Sequence, residues 1–320
     1  MKTILGTMTF SSQVDKQTAT KMVNKFVEAG HTELDTAYVY NKGQTETLLG
    51  ELNAESALQG TKIAGKANPA VAGGLSPASI EQQLTTSLKR LNQSSLDLFY
   101  LHSPDPDVPI RDSLRTMSTL HQQGLFDRFG LSNYAAWQVA EAIEICQQEG
   151  WVAPSVYQGM YNALTRDVER ELLPCLANYE IAFYVYNPLA GGMLSGKHQS
   201  IDALPASGRF ASFDGYQARY WKPAYVDEIN YLSALCRENE IEPATAALRW
   251  LVHHSALAGL NIHVKNESYE HGVIIGASSL AHFNQNLQAI TEPPLPSLLV
   301  DAFDNSWEQV RPACIKYFRP

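Results

Sequence analysis

The sequence predicts an α/β protein: a (β/α)8 TIM barrel with a long loop after its seventh strand and a closing C-terminal helix. Three observations lead there. Short β-rich runs alternate with longer stretches of helical period along the 320 residues, the pattern of a parallel sheet wrapped by helices. Eight such runs can be picked out, and the length suits a barrel of roughly 250 residues with decorations. No Gly-x-Gly-x-x-Gly follows an early run, so the dinucleotide fingerprint of an open, doubly wound sheet is missing.

Taken in order, the first strand is expected over Ile4–Thr9. Asp15 then caps a helix that turns Met22, Val23, Phe26 and Val27 to one face. Thr32–Asp35 and Lys62–Lys66 read as strands two and three. Ser76 and Pro77 form a cap with proline at the first helical position, and that helix runs to Leu91 with Ile80, Leu84, Leu88 and Leu91 inward. Leu96–Leu101 is strand four, and its unbroken Leu98-Phe99-Tyr100-Leu101 suits a strand buried on both faces. Arg128–Leu131, a helix over Trp137–Gln148, Ser155–Tyr157 and Ala182–Tyr186 follow. From Asn187 to about Tyr225 no clear element can be read, and Gly191, Gly192, Gly196, Gly208 and Gly215 fall there. Loops this long inside a compact domain are usually functional. Helices over Val226–Glu238 and from Pro243, a strand at Val273–Gly276 and a closing helix over Leu298–Val310 complete the chain. No repeat or linker divides it, so one barrel domain over residues 1–320 is expected.

Composition narrows the function. The net charge is −9 and no basic run exceeds Lys89-Arg90, which argues against nucleic acid as a partner. Cys146, Cys175, Cys236 and Cys314 stand far apart, as reduced thiols would. The opening Met1–Gly6 does not read as a signal peptide, and no uncharged apolar run approaches the ~18 residues of a membrane span. A cytoplasmic protein with no membrane partner is expected. His253-His254 cannot share a helix face, and His102, His121, His263 and His271 lack the spacing of a zinc site, so no metal is expected.

Barrel active sites lie at the C-terminal ends of the strands, and polar groups collect there: Asp35 and Tyr40 after strand two, Lys66 at strand three, His102 after strand four, Ser132-Asn133 after five, Gln158 after six and Tyr186-Asn187 after seven. Singly, each has a plainer explanation in a turn, the surface or the core. Together they suit carbonyl reduction. That reaction needs a proton on oxygen, and a phenol of pKa ~10 is a weak acid at neutral pH. A lysine beside it lowers that value, and a carboxylate keeps the lysine charged and oriented. A histidine can bond the substrate oxygen and set its angle. Tyr40, Lys66, Asp35 and His102 are therefore the candidate catalytic residues.

The stretch Gly30-His31-Thr32-Glu33-Leu34-Asp35-Thr36-Ala37-Tyr38-Val39-Tyr40 resembles the aldo-keto reductase signature, with Lys66 and His102 matching the rest of its tetrad. Gly130–Tyr134, Tyr157–Asn162, Tyr186–Gly192 and the ending Lys316–Arg319 are similar to the aflatoxin-aldehyde (succinic semialdehyde) reductase branch. The resemblance implies NADPH as cofactor. Ser132, Asn133 and Gln158 would bond the nicotinamide amide, with Asp35 beside them and Tyr186 under the ring. Asn187, Pro188, Leu189, Ala190, Gly191, Gly192, Met193 and Lys197 would wrap the pyrophosphate. Ser278, Ser279, Gln285 and Asn286 would hold the adenosine end. Gly276–Asn286 lacks the Lys or Arg that many family members aim at the 2′-phosphate, and Arg209 could supply that charge from the loop. Gly191–His198 nearly matches a P-loop, but His198 stands where Ser or Thr is required.

For the substrate, His102, Tyr216, Arg219 and Arg319 match contacting positions of the branch, and an arginine fork suits a carboxylate. Carboxylate-bearing aldehydes and dicarbonyls are expected. The branch also suggests a possible homodimer. The alternative is an NADPH-binding, redox-sensing regulatory subunit with little turnover.

Overall fold

The computed structural model describes residues 1–202, 204–206, 208–212, 214–259 and 270–319. His263 falls outside them. Eight parallel strands close into a barrel in sequence order. They are β1 (Lys2–Gly6), β2 (Glu33–Asp35), β3 (Lys62–Ala67), β4 (Leu96–Leu101), β5 (Phe126–Ser132), β6 (Val156–Met160), β7 (Ala182–Tyr186) and β8 (Gly272–Ile275). β8 pairs back onto β1 through Lys2↔Gly272 to Leu5↔Ile275, which removes the sheet edges.

Around it stand α1 (Lys16–Glu28), α2 (Gln44–Ala54), α3 (Pro77–Leu91), α4 (Ile110–Gln122), α5 (Ala136–Glu149) and α6 (Leu172–Asn178). After β7 come α7 (Arg209–Ser212), α8 (Asp214–Tyr220), α9 (Pro223–Glu238), α10 (Pro243–His253) and α11 (Ala256–Gly259). Two more, α12 (Leu280–Ala289) and α13 (Ser297–Val310), follow β8. None of the described helices is long and apolar enough to cross a membrane.

Alternation along the strands builds two cores. Ile4, Ala64, Leu98, Tyr100, Val156, Ala182, Tyr184 and Ile274 fill the barrel interior, and a larger cluster fills the shell between strands and helices. Gly130 lets Tyr100 lie in the interior, since a Cβ there would stand 2.3 Å from its ring. The N-terminal mouth is closed by charge. Arg128 bonds Glu33 at 3.2 Å, Tyr184 Oη at 3.1 Å and Asp97, while Lys2 reaches Glu33 at 3.2 Å.

Five expectations change. Strand six runs Val156–Met160 rather than Ser155–Tyr157, so Gln158 lies within it, paired with Tyr184 on β7. The first strand spans Lys2–Gly6 rather than Ile4–Thr9, because the chain turns at once: Phe10 N–H donates to Thr7 O at 2.8 Å and Thr7 Oγ1 to Asp35 O at 2.8 Å. Asp15 does cap α1, accepting from Thr18 N at 2.8 Å, but Val27 is 38% exposed while Met22, Val23 and Phe26 are buried. Val27 follows Phe26 directly, about 100° round the helix, and lies beyond the buried stripe. Ser76 precedes α3 without a capping bond from its side chain. The segment after β7 holds a 3-10 turn at Ala190–Ser195 and the short α7 and α8, elements too brief to carry a readable period.

Candidate active site

The strand register sets the residues of the C-terminal mouth side by side. Asp35 pairs with Ala64 on β3, Lys66 with Tyr100 on β4, and Ser132 with Gln158 on β6. At the centre, the fully buried Lys66 Nζ donates to Asp35 Oδ1 at 2.6 Å and to Thr36 O at 2.6 Å. Gln158 Nε2 donates to the other carboxylate oxygen, Oδ2, at 2.7 Å. The ammonium also stands 5.3 Å from the centre of the Tyr40 ring and 5.6 Å from that of Tyr100, within cation–π range of both.

Tyr40 follows β2 and is half-buried. Its loop is fixed by Asn41, whose φ is 47° and whose Nδ2 donates to Met8 O at 3.1 Å and Phe10 O at 2.8 Å. Arg90 on α3 holds the loop from behind, donating to Tyr38 O at 3.2 Å and to the buried Glu46 at 3.0 Å. The Tyr40 and His102 rings meet edge to face, with centroids 6.2 Å apart. Asn68 Nδ2 lies 3.0 Å from His102 Nδ1.

Burial shifts three of these groups. Burial lowers the Lys66 pKa and the Asp35 carboxylate opposes that fall. Burial also holds His102 well below the ordinary imidazole range, helped by the charges of Lys66 and Arg319, so the ring is neutral at physiological pH. The Tyr40 phenol is pushed well above 10 by burial and then by Asp35, with Arg209 pulling the other way. The sequence suggested that Lys66 would lower the phenol. In the resting site, burial and the Asp35 carboxylate raise it instead. The phenol therefore carries its proton throughout the physiological range.

The other expected residues fall into groups. Asn133, at φ 64°, donates to His102 O at 2.8 Å and Ser132 Oγ at 2.9 Å, and accepts from Tyr186 Oη at 2.7 Å. Ser132, Asn133, Tyr186 and His102 are thus bonded into one patch, with Gln158 beside Ser132 in the strand register. Asn187, at φ 56°, accepts from Tyr216 Oη at 3.1 Å and leads into Pro188, Leu189 and the turn of Ala190, Gly191, Gly192 and Met193. Gly192 has φ 109° and open space where a Cβ would stand. Arg209 and Arg219 flank the Tyr216 ring, their guanidinium carbons 5.7 and 5.5 Å from its centre. Arg209 also comes within 3.8 Å of where a Cβ on Gly276 would be, bridging the β7 loop to the end of β8. Lys197 lies apart from the tetrad, 3.1 Å from His282 on α12. Ser279 caps α12 by accepting from His282 N at 3.2 Å; Ser278 is exposed and Asn286 buried. Arg319 belongs to the mouth: its N–H donates to Asn133 O at 2.9 Å, and Tyr317 Oη accepts from Ala136 N at 3.0 Å. The tail is pinned by these bonds although its arginine side chain is exposed.

Asn68, Gln83, Arg90, Glu46 and His282 were not singled out in the sequence. Asn68 and Gln83 carry no motif of their own, though a buried Gln on the inner face of an amphipathic helix departs from the apolar stripe and could have drawn notice. Among the described residues, no group of three or more His, Cys, Asp or Glu could hold a metal ion.

A dinucleotide fits this mouth by its donor set. Asn187 Nδ2 is buried and unpartnered, a donor that an incoming acceptor would satisfy. Asn133 Oδ1 keeps one lone pair after Tyr186, and Ser132 Oγ keeps its proton after accepting from Asn133.

Comparison with known proteins agrees. A sequence profile described as "Aldo/keto reductase family" matches residues 2–308. Aflatoxin B1 aldehyde reductase member 2 of Mus musculus is 45% identical over 99% of this chain and 87% of its own length. Aldo-keto reductase family 7 member A3 of Homo sapiens is 44% identical over 99% of this chain and 97% of its own. Aldo-keto reductase pigE of Monascus ruber is 35% identical over 93% and 89%.

Proposed function

The chain belongs to the aldo/keto reductase family, and we propose that it is an NADPH-dependent aldehyde reductase in which Tyr40 gives the proton to the carbonyl oxygen. The observation that carries the reading is the meeting of a phenol, an ammonium, a carboxylate and an imidazole at the ends of three adjacent strands.

The bound nicotinamide cofactor would supply the hydride to the carbonyl carbon. Ser132, Asn133 and Gln158 would hold its amide, Tyr186 its ring and the Asn187–Met193 turn its pyrophosphate. Lys197, Ser278, Ser279, Gln285 and Asn286 would take the adenosine end, with Arg209 as the charge favouring NADPH. The protein's own work is at the oxygen. Tyr40 stays protonated until negative charge develops on that oxygen, and then gives up its proton. The nearby Lys66 ammonium stabilises the phenolate left behind, and Asp35 keeps the ammonium charged despite its burial. Neutral His102 offers the same oxygen an N–H and fixes its approach.

Aldehydes bearing a carboxylate, succinic semialdehyde among them, are the favoured substrates in this reading. Arg319 and Arg219 support it. Both charges are felt at Tyr186, and that of Arg319 also at His102. The relatives named for an aldehyde substrate lend the class further support.

Tyr40→Phe tests the reading. We expect kcat to fall by about 10²-fold or more, while NADPH binding followed by fluorescence stays near that of the wild type. Retained turnover would remove Tyr40 from the role.

A further inference from the structure

Two buried amides beside the site have no part in the chemistry above. Asn68 follows β3, two residues past Lys66, and Gln83 lies on the inner face of α3, 2% exposed. We infer that Asn68 is a positioning residue that holds His102 as its Nε2–H tautomer, and that Gln83 fixes Asn68 in turn. The tautomer follows from the contacts themselves. Its catalytic consequence rests on the reductase reading.

The orientation of the Asn68 amide is settled by a backbone group. Asn68 Oδ1 accepts from Ala70 N at 2.8 Å. A peptide N–H can only donate, so the atom facing it is oxygen and the atom facing His102 is the amide nitrogen. That Nδ2 lies 3.0 Å from His102 Nδ1. An amide NH2 donates and has no lone pair to give. Nδ1 must therefore accept, and a neutral imidazole then has its single proton on Nε2. An imidazolium would set N–H against N–H at this contact, so Asn68 also favours the neutral ring. The other contacts of His102 do not choose a tautomer. Asn133 Nδ2 bonds its backbone carbonyl at 2.8 Å, its own N–H donates to Ala67 O at 2.9 Å, and Tyr40 meets the ring by its edge.

The consequence lies on the opposite ring nitrogen. With Nε2 protonated, His102 can donate to a carbonyl oxygen whose negative charge grows during reduction. With the proton on Nδ1, the nitrogen at that position would be a lone pair facing oxygen lone pairs, and the contact would become repulsive.

Gln83 explains why Asn68 stays in place. β3 ends at Ala67, so the Asn68 peptide has no strand neighbour. Gln83 supplies both partners from one side chain: its Oε1 accepts from Asn68 N at 2.8 Å and its Nε2 donates to Asn68 O at 3.2 Å. The same Nε2 is tethered to Ser79 Oγ at 3.1 Å and Gly74 O at 3.3 Å. A helix side chain thus completes the strand end that aims Asn68 at His102.

The test uses the full-length protein labelled with 15N-histidine, with His102 assigned by its loss in His102→Gln. Two-bond proton–nitrogen spectra should show a protonated Nε2 and a bare Nδ1. Asn68→Asp keeps the acceptor for Ala70 N but places a carboxylate against Nδ1, and, assayed at a pH where the 15N spectrum shows the ring neutral, should draw its single proton onto Nδ1. Loss of one donor to a developing oxyanion lowers kcat by about 10²–10³-fold, so this variant should lose about 10²-fold in kcat, with KM moving far less. Asn68→Leu leaves the tautomers unselected and should lose less. A merely structural role predicts the reverse order, since Asp preserves the bond to Ala70 and Leu does not. A wild-type His102 protonated on Nδ1, an Asn68→Asp enzyme of full activity, or Asn68→Leu worse than Asn68→Asp would each overturn the inference. The spectrum needs no substrate. A protein with the stated tautomer but no aldehyde turnover would sink the reductase reading and leave this one standing.

Discussion

Asp35→Asn removes one charge from the buried pair and keeps its shape. Lys66 is fully buried and loses its counter-ion, although the amide oxygen can still accept one of its protons. Breaking a buried pair from one side typically costs about 3–5 kcal/mol, because the remaining charge is left unpaired in a poor solvent. The cost has a ceiling, since the ammonium can shed its proton instead. Each pH unit below the ordinary lysine pKa of ~10.4 is worth about 1.4 kcal/mol, so at pH 7 the escape costs about 4.6 kcal/mol. The two figures agree, and together they predict a pH dependence. Burial already lowers the Lys66 pKa and Asp35 opposes it, so the substitution depresses the folded value further. Stability tied to a depressed pKa is present above the unfolded value and is lost as pH falls through the folded one. Wild type shares this loss down to its own lowered Lys66 pKa, so the variant should fall behind only below that point, by about 1.4 kcal/mol per unit of pH, until the ceiling or its own folded pKa is reached. Urea unfolding of both proteins between about pH 7 and pH 10 measures this directly. A deficit that does not change with pH would refute the reasoning. So would one below about 1 kcal/mol, the scale of an exposed pair.

Arg319→Ala removes a charge whose backbone is pinned to Asn133. KM for succinic semialdehyde should rise about 10-fold or more, the scale of one charge-assisted bond, while an uncharged aldehyde should be little affected; equal changes for both would count against a carboxylate subsite. Arg209→Ala should weaken NADPH by about 10-fold and NADH by much less, as read by fluorescence titration; equal loss for both would leave the 2′-phosphate without this partner.

The barrel was legible because its signals are repetitive. Buried parallel strands are apolar runs, and eight of them punctuated by helical periods leave few alternatives. The tetrad was legible because chemistry-bearing side chains at successive strand ends are hard to explain by packing. What escaped notice was of three kinds. Short elements such as α7 and α8 offer too few residues for a period to show. Amide networks escaped for another reason. Asn68 and Gln83 act through bonds between a strand end and a helix 15 residues away, and no local spacing announces such a pair. The phenol's pKa escaped as well. The reading from residue types set Lys66 beside Tyr40 and left out the burial, which acts in the opposite direction.

β2 shows where residue type stops being informative and position takes over. Its three residues carry two carboxylates, Glu33 and Asp35, on the same inward side of Leu34. One lies a layer below the other, about 7 Å apart along the strand. Glu33 meets Arg128, Lys2 and Tyr184, whose bonds close the N-terminal mouth into a saturated ionic plug. Asp35 meets a single ammonium and one amide, and the groups beside it remain able to act: a phenol with its proton and an imidazole with one nitrogen turned away from Asn68. Every group of the lower layer is spent on its neighbours, while the upper one keeps groups free for a substrate. The difference is made by residues from other strands and from α3, so two acids two positions apart in sequence take on unrelated work.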